Sequence, residues 1–323
     1  MNIIAADVGG TKTRFIYADA EQPDNVIFEA RYLSSDFDSF EPLLEAFIHD
    51  SGSTASQVDS LTLALPGLVN DDTARLTNLP WVIEKQALKD SFGIKNVSFM
   101  NDFQASAFGT SQLLKTDQIV LNPGIAEQGV QKNNATRVAV GAGTGLGVAW
   151  AQDDEGKAHA YDTEGGHVDF APVDETQIQL LQFLQQRHGH VSYERILSGD
   201  GLVSLYEFSS GKQETGVTAE WVNKQADKDE AADIALSLFV QIYGAYIGNI
   251  ALLFKPCGGI YITGGIAAKM VKKMQSEDFI DAYLNKGRMR TLVEQIAVYL
   301  VTNERIGVLG AMSEAVKIQQ DNK

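Results

Sequence analysis

The sequence predicts an α/β protein. Three glycine-rich turns predict it, each at the end of an apolar, β-branched strand. The first is "DVGGTKTR", residues 7–14, between the strands "NIIAAD" and "RFIYAD". The second is "GAGTG" within "RVAVGAGTGLGVAWAQ", residues 137–152. The third is the pair Gly264 and Gly265 in "GGIYITGGIAAKMVKKM", residues 258–274, where a helix follows instead of a second strand. At 323 residues the chain has room for two domains of ordinary size, and 44% apolar residues allow a sizeable core.

Composition narrows the partners. Acidic residues number 42 against 26 basic ones, a formal charge of −16. Such a field repels nucleic acid and anionic membrane, while a nucleotide needs only a local patch of N–H donors and cations. The single cysteine, Cys257, cannot form an internal disulfide and suits a reducing cytoplasm. "MNIIAADVGG" has neither the basic region nor the apolar segment of a signal peptide. The stretch 234–254, "IALSLFVQIYGAYIGNIALLF", is long enough to cross a bilayer and holds a G-x-x-x-G at Gly244 and Gly248. Gln241 and Asn249 interrupt it and the acidic "DKDE" precedes it. It predicts a helix buried between two layers, with glycines that permit close packing.

The first turn lies in a hairpin, which separates it from the two commonest phosphate loops. A Walker A loop has glycine directly before its lysine and a helix after it; here Thr11 precedes Lys12 and a strand follows. A dinucleotide fingerprint also requires a following helix, and its G-x-G-x-x-G spacing is absent. The turn "GAGTG" likewise offers backbone N–H groups with little bulk in the way. Any one of these turns alone is explained by a tight hairpin or a helix cap.

Their order, hairpin, hairpin, then strand-to-helix, resembles the phosphate-1, phosphate-2 and adenosine motifs of the actin-like ATPase superfamily, which includes the sugar kinases. The resemblance implies a two-domain actin-like ATPase (ribonuclease H-like) fold with an inter-domain cleft. It also implies that Asp7, Gly9, Gly10 and Thr11 take the outer phosphates of ATP, with Mg²⁺ held through water by Asp7. Gly143, Thr144 and Gly145 take the other side of the phosphates, and Gly264 and Gly265 approach the adenosine. Lys12 either adds a charge contact to the phosphates or points into solvent.

Three further segments bear on the acceptor. "VSFMNDFQASAFG", residues 97–109, reads as a strand ending at Asn101 and Asp102, then a helix. Asp102 there either caps the helix or faces a ligand at the strand's carboxyl end. "TEGGHVDFAP", residues 163–172, places Glu164 and His167 about a Gly-Gly turn that is either a solvated surface turn or a point of convergence. "GHVSYERILSG", residues 189–199, begins a helix near Ser192 with Glu194 in its first turn, where a carboxylate is favourable in any case. His188 and His190 form an H-x-H pair without a ligand cluster around it. Carboxylates, an amide and an imidazole suit several hydroxyls, and no arginine cluster accompanies them. The second substrate is therefore expected to be a neutral sugar.

The motifs "DVGGTKTR", "NLPW", "NDFQA", "GAGTGLG", "EGGHVDFAP", "GHVSYERILSGDGLVSLY" and "ITGGIA" run, over nearly the whole chain, in the order found in bacterial-type glucokinases. By that resemblance Asn101, Asp102, Glu164, His167 and Glu194 hold glucose, and Asp102 is the catalytic base. The first loop reads G-G-T-K where many such enzymes have G-G-T-N. The resemblance also implies a homodimer. The expected domains are residues 1–110 with the tail helix 304–323, and residues 111–303. Two alternatives stand beside it. A kinase for another hexose, an amino sugar or a carboxylate is weakened, for the carboxylate, by the missing arginines. A sugar-sensing regulator would need a helix-turn-helix ahead of the first strand, which begins near residue 3. The zinc motif of the repressor–kinase family is impossible with one cysteine.

Overall fold

The computed structural model describes residues 1–69, 72–76, 78–125, 135–154, 157–213 and 215–321. The chain divides into two compact units. One comprises Met1–Leu114, His159–Asp162 and Asn303–Lys323; the other comprises Lys115–Ala158 and Thr163–Thr302.

The first unit opens with β1 (Asn2–Val8), β2 (Lys12–Asp19) and β3 (Gln22–Leu33), joined as consecutive hairpins. Helix α1 (Phe40–Asp50) follows, then β4 (Ser60–Leu65). Three short strands, β5 (Leu68–Val69), β6 (Thr73–Arg75) and β7 (Val82–Glu84), lead into α2 (Lys85–Phe92), β8 (Asn96–Asn101) and α3 (Asp102–Gly109). The main sheet runs β3-β2-β1-β4-β8, with β1, β4 and β8 parallel. Central β4, "SLTLAL", is buried at every position, as a strand covered on both faces must be. Helix α1 buries Phe40, Leu43, Leu44, Phe47 and Ile48, a helical spacing that lays one apolar face on the sheet. There Phe47 stacks on Phe15 of β2 with ring centroids 4.6 Å apart.

The second unit repeats this plan. The strands of its sheet are β9 (Gln118–Asn122), β10 (Thr136–Ala142), β11 (Leu146–Asp154), β12 (Lys157–Thr163, of which His159–Asp162 are grouped with the first unit), β13 (Ile260–Thr263) and β14 (Val298–Val301), in the order β12-β11-β10-β13-β14-β9. As β1 does with β2 and β4, β10 pairs antiparallel with β11 and parallel with β13, and β14 continues the parallel run. Its helices are α4 (Glu175–His188), α5 (Gly199–Ser210), α6 (Ala219–Gln225), α7 (Glu230–Phe254), α8 (Gly265–Lys269), α9 (Val271–Met274), α10 (Glu277–Leu284) and α11 (Arg290–Glu294). Helix α7 carries the apolar stretch that is long enough to span a bilayer. Here 72% of its most apolar window is buried inside the protein, against α5, α6 and α10. A β-carbon added at Gly244 would lie 2.3 Å from Phe279 O, so glycine is what lets α10 approach.

The C-terminal helix α12 (Ile306–Asp321) packs on α3 and β1 of the first unit. Residues His159–Asp162 also belong to the first unit, which the sequence boundaries did not foresee. The physical tie is a hydrogen bond from Gln104 Nε2 to Ala160 O at 2.7 Å, across 56 residues of chain.

Candidate active site

The first glycine turn joins β1 to β2. Gly9 N donates to Lys12 O at 3.0 Å, and Asp7 sits opposite Arg14 in the ladder. Thr11 and Lys12 are exposed at the turn, and Asn78 of the "NLPW" segment packs against Gly10. Ser34, beyond the end of β3, pins the turn from behind. Its hydroxyl donates to Gly9 O at 2.8 Å, and its N–H donates to Thr11 O at 3.0 Å. No sequence signal marks Ser34, which lies 25 residues from its partner.

Asp7 is largely withdrawn from water. Burial, helped by the charge of neighbouring Asp102 and opposed by Arg14, lifts its carboxyl to about 7. Asp102 is lifted to about 6 by burial, against backbone hydrogen bonds that favour its charged form. Asp102 is not the helix cap. Asn101 caps α3, accepting from Phe103 N at 2.9 Å and Gln104 N at 3.3 Å. The Gln104 side chain returns a bond to Asn101 N, completing a capping box. Asp102 Oδ1 accepts from Phe103 N at 2.9 Å. A partly buried carboxylate with raised proton affinity is suited to general-base work.

In the second unit the hairpin turn Gly143–Gly145 joins β10 to β11, with Gly143 N donating to Gly145 O at 2.8 Å. Thr144 is exposed at its tip. Gly264 follows β13 at φ +87, and a β-carbon there would lie 2.5 Å from Ala142 O, so only glycine fits both the backbone and the space. Gly143 and Gly265 line one cavity of about 170 Å³ together with Leu202, Glu220, Asn223 and Lys269. The second and third glycine motifs thus meet at one place. Glu220 and Asn223 come from α6, which sequence reading did not connect to the turns.

Glu164, His167 and Glu194 converge. Glu164 precedes, and His167 ends, one turn of 3₁₀ helix, Gly165–His167. Glu194 lies in a second such turn, Tyr193–Arg195, and not in the first turn of an α-helix as the sequence suggested. The longer helix α5 starts only at Gly199, where Ser198 Oγ caps it by accepting from Gly201 N. The two turns are clamped by an antiparallel bridge, Asp169 to Ser192, with Phe170 N donating to Val191 O and Tyr193 N to Val168 O. This brings His167 Nε2 to 3.6 Å from Glu164 Oε2 and His167 Nδ1 to 3.8 Å from Glu194 Oε1. The other oxygen of Glu194 accepts from Leu146 N at 3.0 Å. Gly145 leaves room for that carboxylate, since a β-carbon there would lie 2.5 Å from Oε2. His190 of the H-x-H pair bonds Asp169 Oδ1 at 2.6 Å.

Comparison with known proteins places the chain in a family. The glucokinase family model matches residues 4–318. The glucokinase of Nostoc punctiforme is 32% identical over 98% of this chain and 99% of its own length. That of Yersinia enterocolitica is 34% identical over 95% of this chain and 94% of its own. Among solved structures, a glucokinase from an Antarctic psychrotroph superposes with a TM-score of 0.84 at 27% identity, covering 98% of this chain and 99% of that one.

Proposed function

The chain belongs to the glucokinase family, and from that premise we propose that it transfers the γ-phosphoryl group of ATP to the 6-hydroxyl of D-glucose. The observation that carries the reading is the cluster Glu164, His167 and Glu194, tied through Leu146 N to the end of a glycine hairpin. Hydroxyl-binding groups and phosphate-binding backbone are thereby built into one piece of structure.

In this reading the two-domain actin-like ATPase fold is supported by the matching strand plans of the two units. Glycine-turn N–H groups at Gly10 and Gly145 hold phosphate oxygens, while Gly9 and Gly143 close the two turns with their own N–H groups and keep them free of bulk, and the cavity beside Gly143 and Gly265 receives the adenosine. Asn101, Asp102, Glu164, His167 and Glu194 hold the sugar. The transition state for phosphoryl transfer is loose, so these residues act chiefly by positioning and by balancing charge. Asp102 accepts the proton as the 6-oxygen bonds to the γ-phosphorus and the bond to the β,γ-bridging oxygen breaks. For this the hydroxyl must lie within roughly 3 Å of the carboxylate.

Mg²⁺ fits the residues present. A buried carboxyl lifted to about 7 is restored to its charged form by a cation, and magnesium characteristically combines one or two carboxylates with phosphates and water. Asp7 would hold it through water, and the ion would supply charge neutralisation on the phosphates. A cytoplasmic homodimer completes the reading.

The test is a coupled assay of ADP formation with a panel of hexoses. Glucose should give the highest kcat/KM. Absence of glucose-dependent ADP formation would overturn the proposal.

A further inference from the structure

Tyr246 and Asn249 of α7 belong to none of the motifs that mark the site, yet both reach it from behind. Tyr246 Oη donates to Gly165 O at 2.7 Å, the carbonyl at the centre of the turn that carries Glu164 and His167. Its ring packs on Tyr193, centroids 4.5 Å apart, and Tyr193 directly precedes Glu194. One helical step on, Asn249 Nδ2 donates to Tyr193 Oη at 3.1 Å. The direction of that bond is fixed by chemistry. Lys286 Nζ, which can only donate, lies 2.8 Å from Asn249 Oδ1 and 2.8 Å from Ala245 O. The amide oxygen must therefore face Lys286 and the amide nitrogen must face Tyr193. Tyr193 Oη in turn bonds the backbone of Ala171.

We infer that Tyr246 and Asn249 are positioning residues for the sugar site. Tyr246 sets the height of the Glu164–His167 turn, and Asn249 sets Tyr193 and with it Glu194. Both tyrosines are almost wholly buried, so water is a poor substitute for either bond. The opposite face of α7, at Gly244 and Gly248, is seated on α10. Helix α7 is thus a fixed rail, and the sugar-binding groups are registered against it. Neither residue touches the substrate. This inference rests on the assignment of Glu164, His167 and Glu194 to glucose.

The test is Tyr246→Phe, with Tyr283→Phe as its control. Tyr283 Oη also donates from a buried position to a backbone carbonyl, Val293 O at 2.6 Å, but contacts none of the cluster. Tyr283 Oη also lies 3.1 Å from Ile296 O, so Tyr283→Phe should lose at least as much thermal stability as Tyr246→Phe. Tyr246→Phe should raise the KM for glucose about three- to tenfold, with kcat and the KM for ATP within about twofold of wild type. Asn249→Ala should move glucose KM in the same direction, and Tyr283→Phe should leave it unchanged. A second readout needs no activity: hydrogen exchange at the His167 and Val168 amides should quicken in Tyr246→Phe and not in Tyr283→Phe. Unchanged glucose KM in Tyr246→Phe, or an equal rise in Tyr283→Phe, would overturn the inference. If the wild-type chain proved not to phosphorylate glucose, amide exchange would still decide whether Tyr246 sets the turn.

Discussion

Glu194 Oε2 accepts a hydrogen bond from Leu146 N at 3.0 Å, so a carboxylate of the sugar cluster is bonded to the residue that closes a glycine hairpin. Its other oxygen faces His167. One side chain therefore serves both substrates in the proposed reaction. Glu194→Ala should raise the KM for glucose by roughly ten- to a hundredfold, the cost of a lost charge-assisted bond. Unlike a residue that meets only sugar, it should also raise the KM for ATP, by about two- to tenfold, because Leu146 N loses its partner. Glu194→Gln keeps an acceptor for Leu146 and should restore ATP KM while leaving glucose binding impaired. Initial-rate kinetics with each substrate varied would check both; an ATP KM unchanged in Glu194→Ala would separate the two functions.

The pH profile should report Asp102. Burial lifts its carboxyl to about 6, and a general base works only when ionised. The kcat/KM for glucose should fall roughly tenfold per pH unit below about 6 and level off above it. A profile flat from pH 5 to 8 would remove Asp102 from the chemistry.

Asp7 predicts a stability effect of opposite sense to the usual carboxylate. Its folded-state value, about 7, lies above the ordinary 3.8, so the native state holds a proton that the unfolded state releases. Stability is then greatest at low pH, falls as pH rises between about 4 and 7, and stays reduced above that. Asp7→Asn abolishes this loss. Without substrates it should be more stable than wild type at pH 8, by about 1–3 kcal/mol, and unfold at a higher temperature, with a smaller difference at pH 5. Its kinase activity should be lower. Thermal unfolding at the two pH values is the check, and a variant less stable than wild type at pH 8 would contradict it.

Much of the site was legible because its signals are local. Asp7, Gly9 and Gly10 announce a hairpin within eight residues, and the strand-to-helix step at Asn101 and Asp102 is equally local, although the cap of the helix proves to be Asn101, in a capping box with Gln104, and not Asp102. The Gly-Gly step between Glu164 and His167 indicated a turn. What joins that turn to Glu194, the bridge from Asp169 to Ser192, is a pairing across more than twenty residues that leaves no periodic trace. Ser34 behind the first turn, the α6 side chains at the cavity, and Tyr246 beneath Gly165 were hidden for the same reason. Each is an ordinary residue in its own element and acquires its position only through tertiary packing. The apolar run in α7 shows the reverse case. Its composition alone suits lipid or protein, and packing against α10 decides for protein.

The central claim is that Asp102 takes the proton of the glucose 6-hydroxyl, and the kcat of Asp102→Asn tests it most directly. The substitution keeps size and polarity, and the cap of α3 is unaffected because Asn101 supplies it. With folding and glucose affinity verified by thermal unfolding and calorimetry, kcat should fall about 10²- to 10⁴-fold, the usual cost of losing a general base. A correctly folded variant that binds glucose and retains more than about half of its kcat would contradict the account.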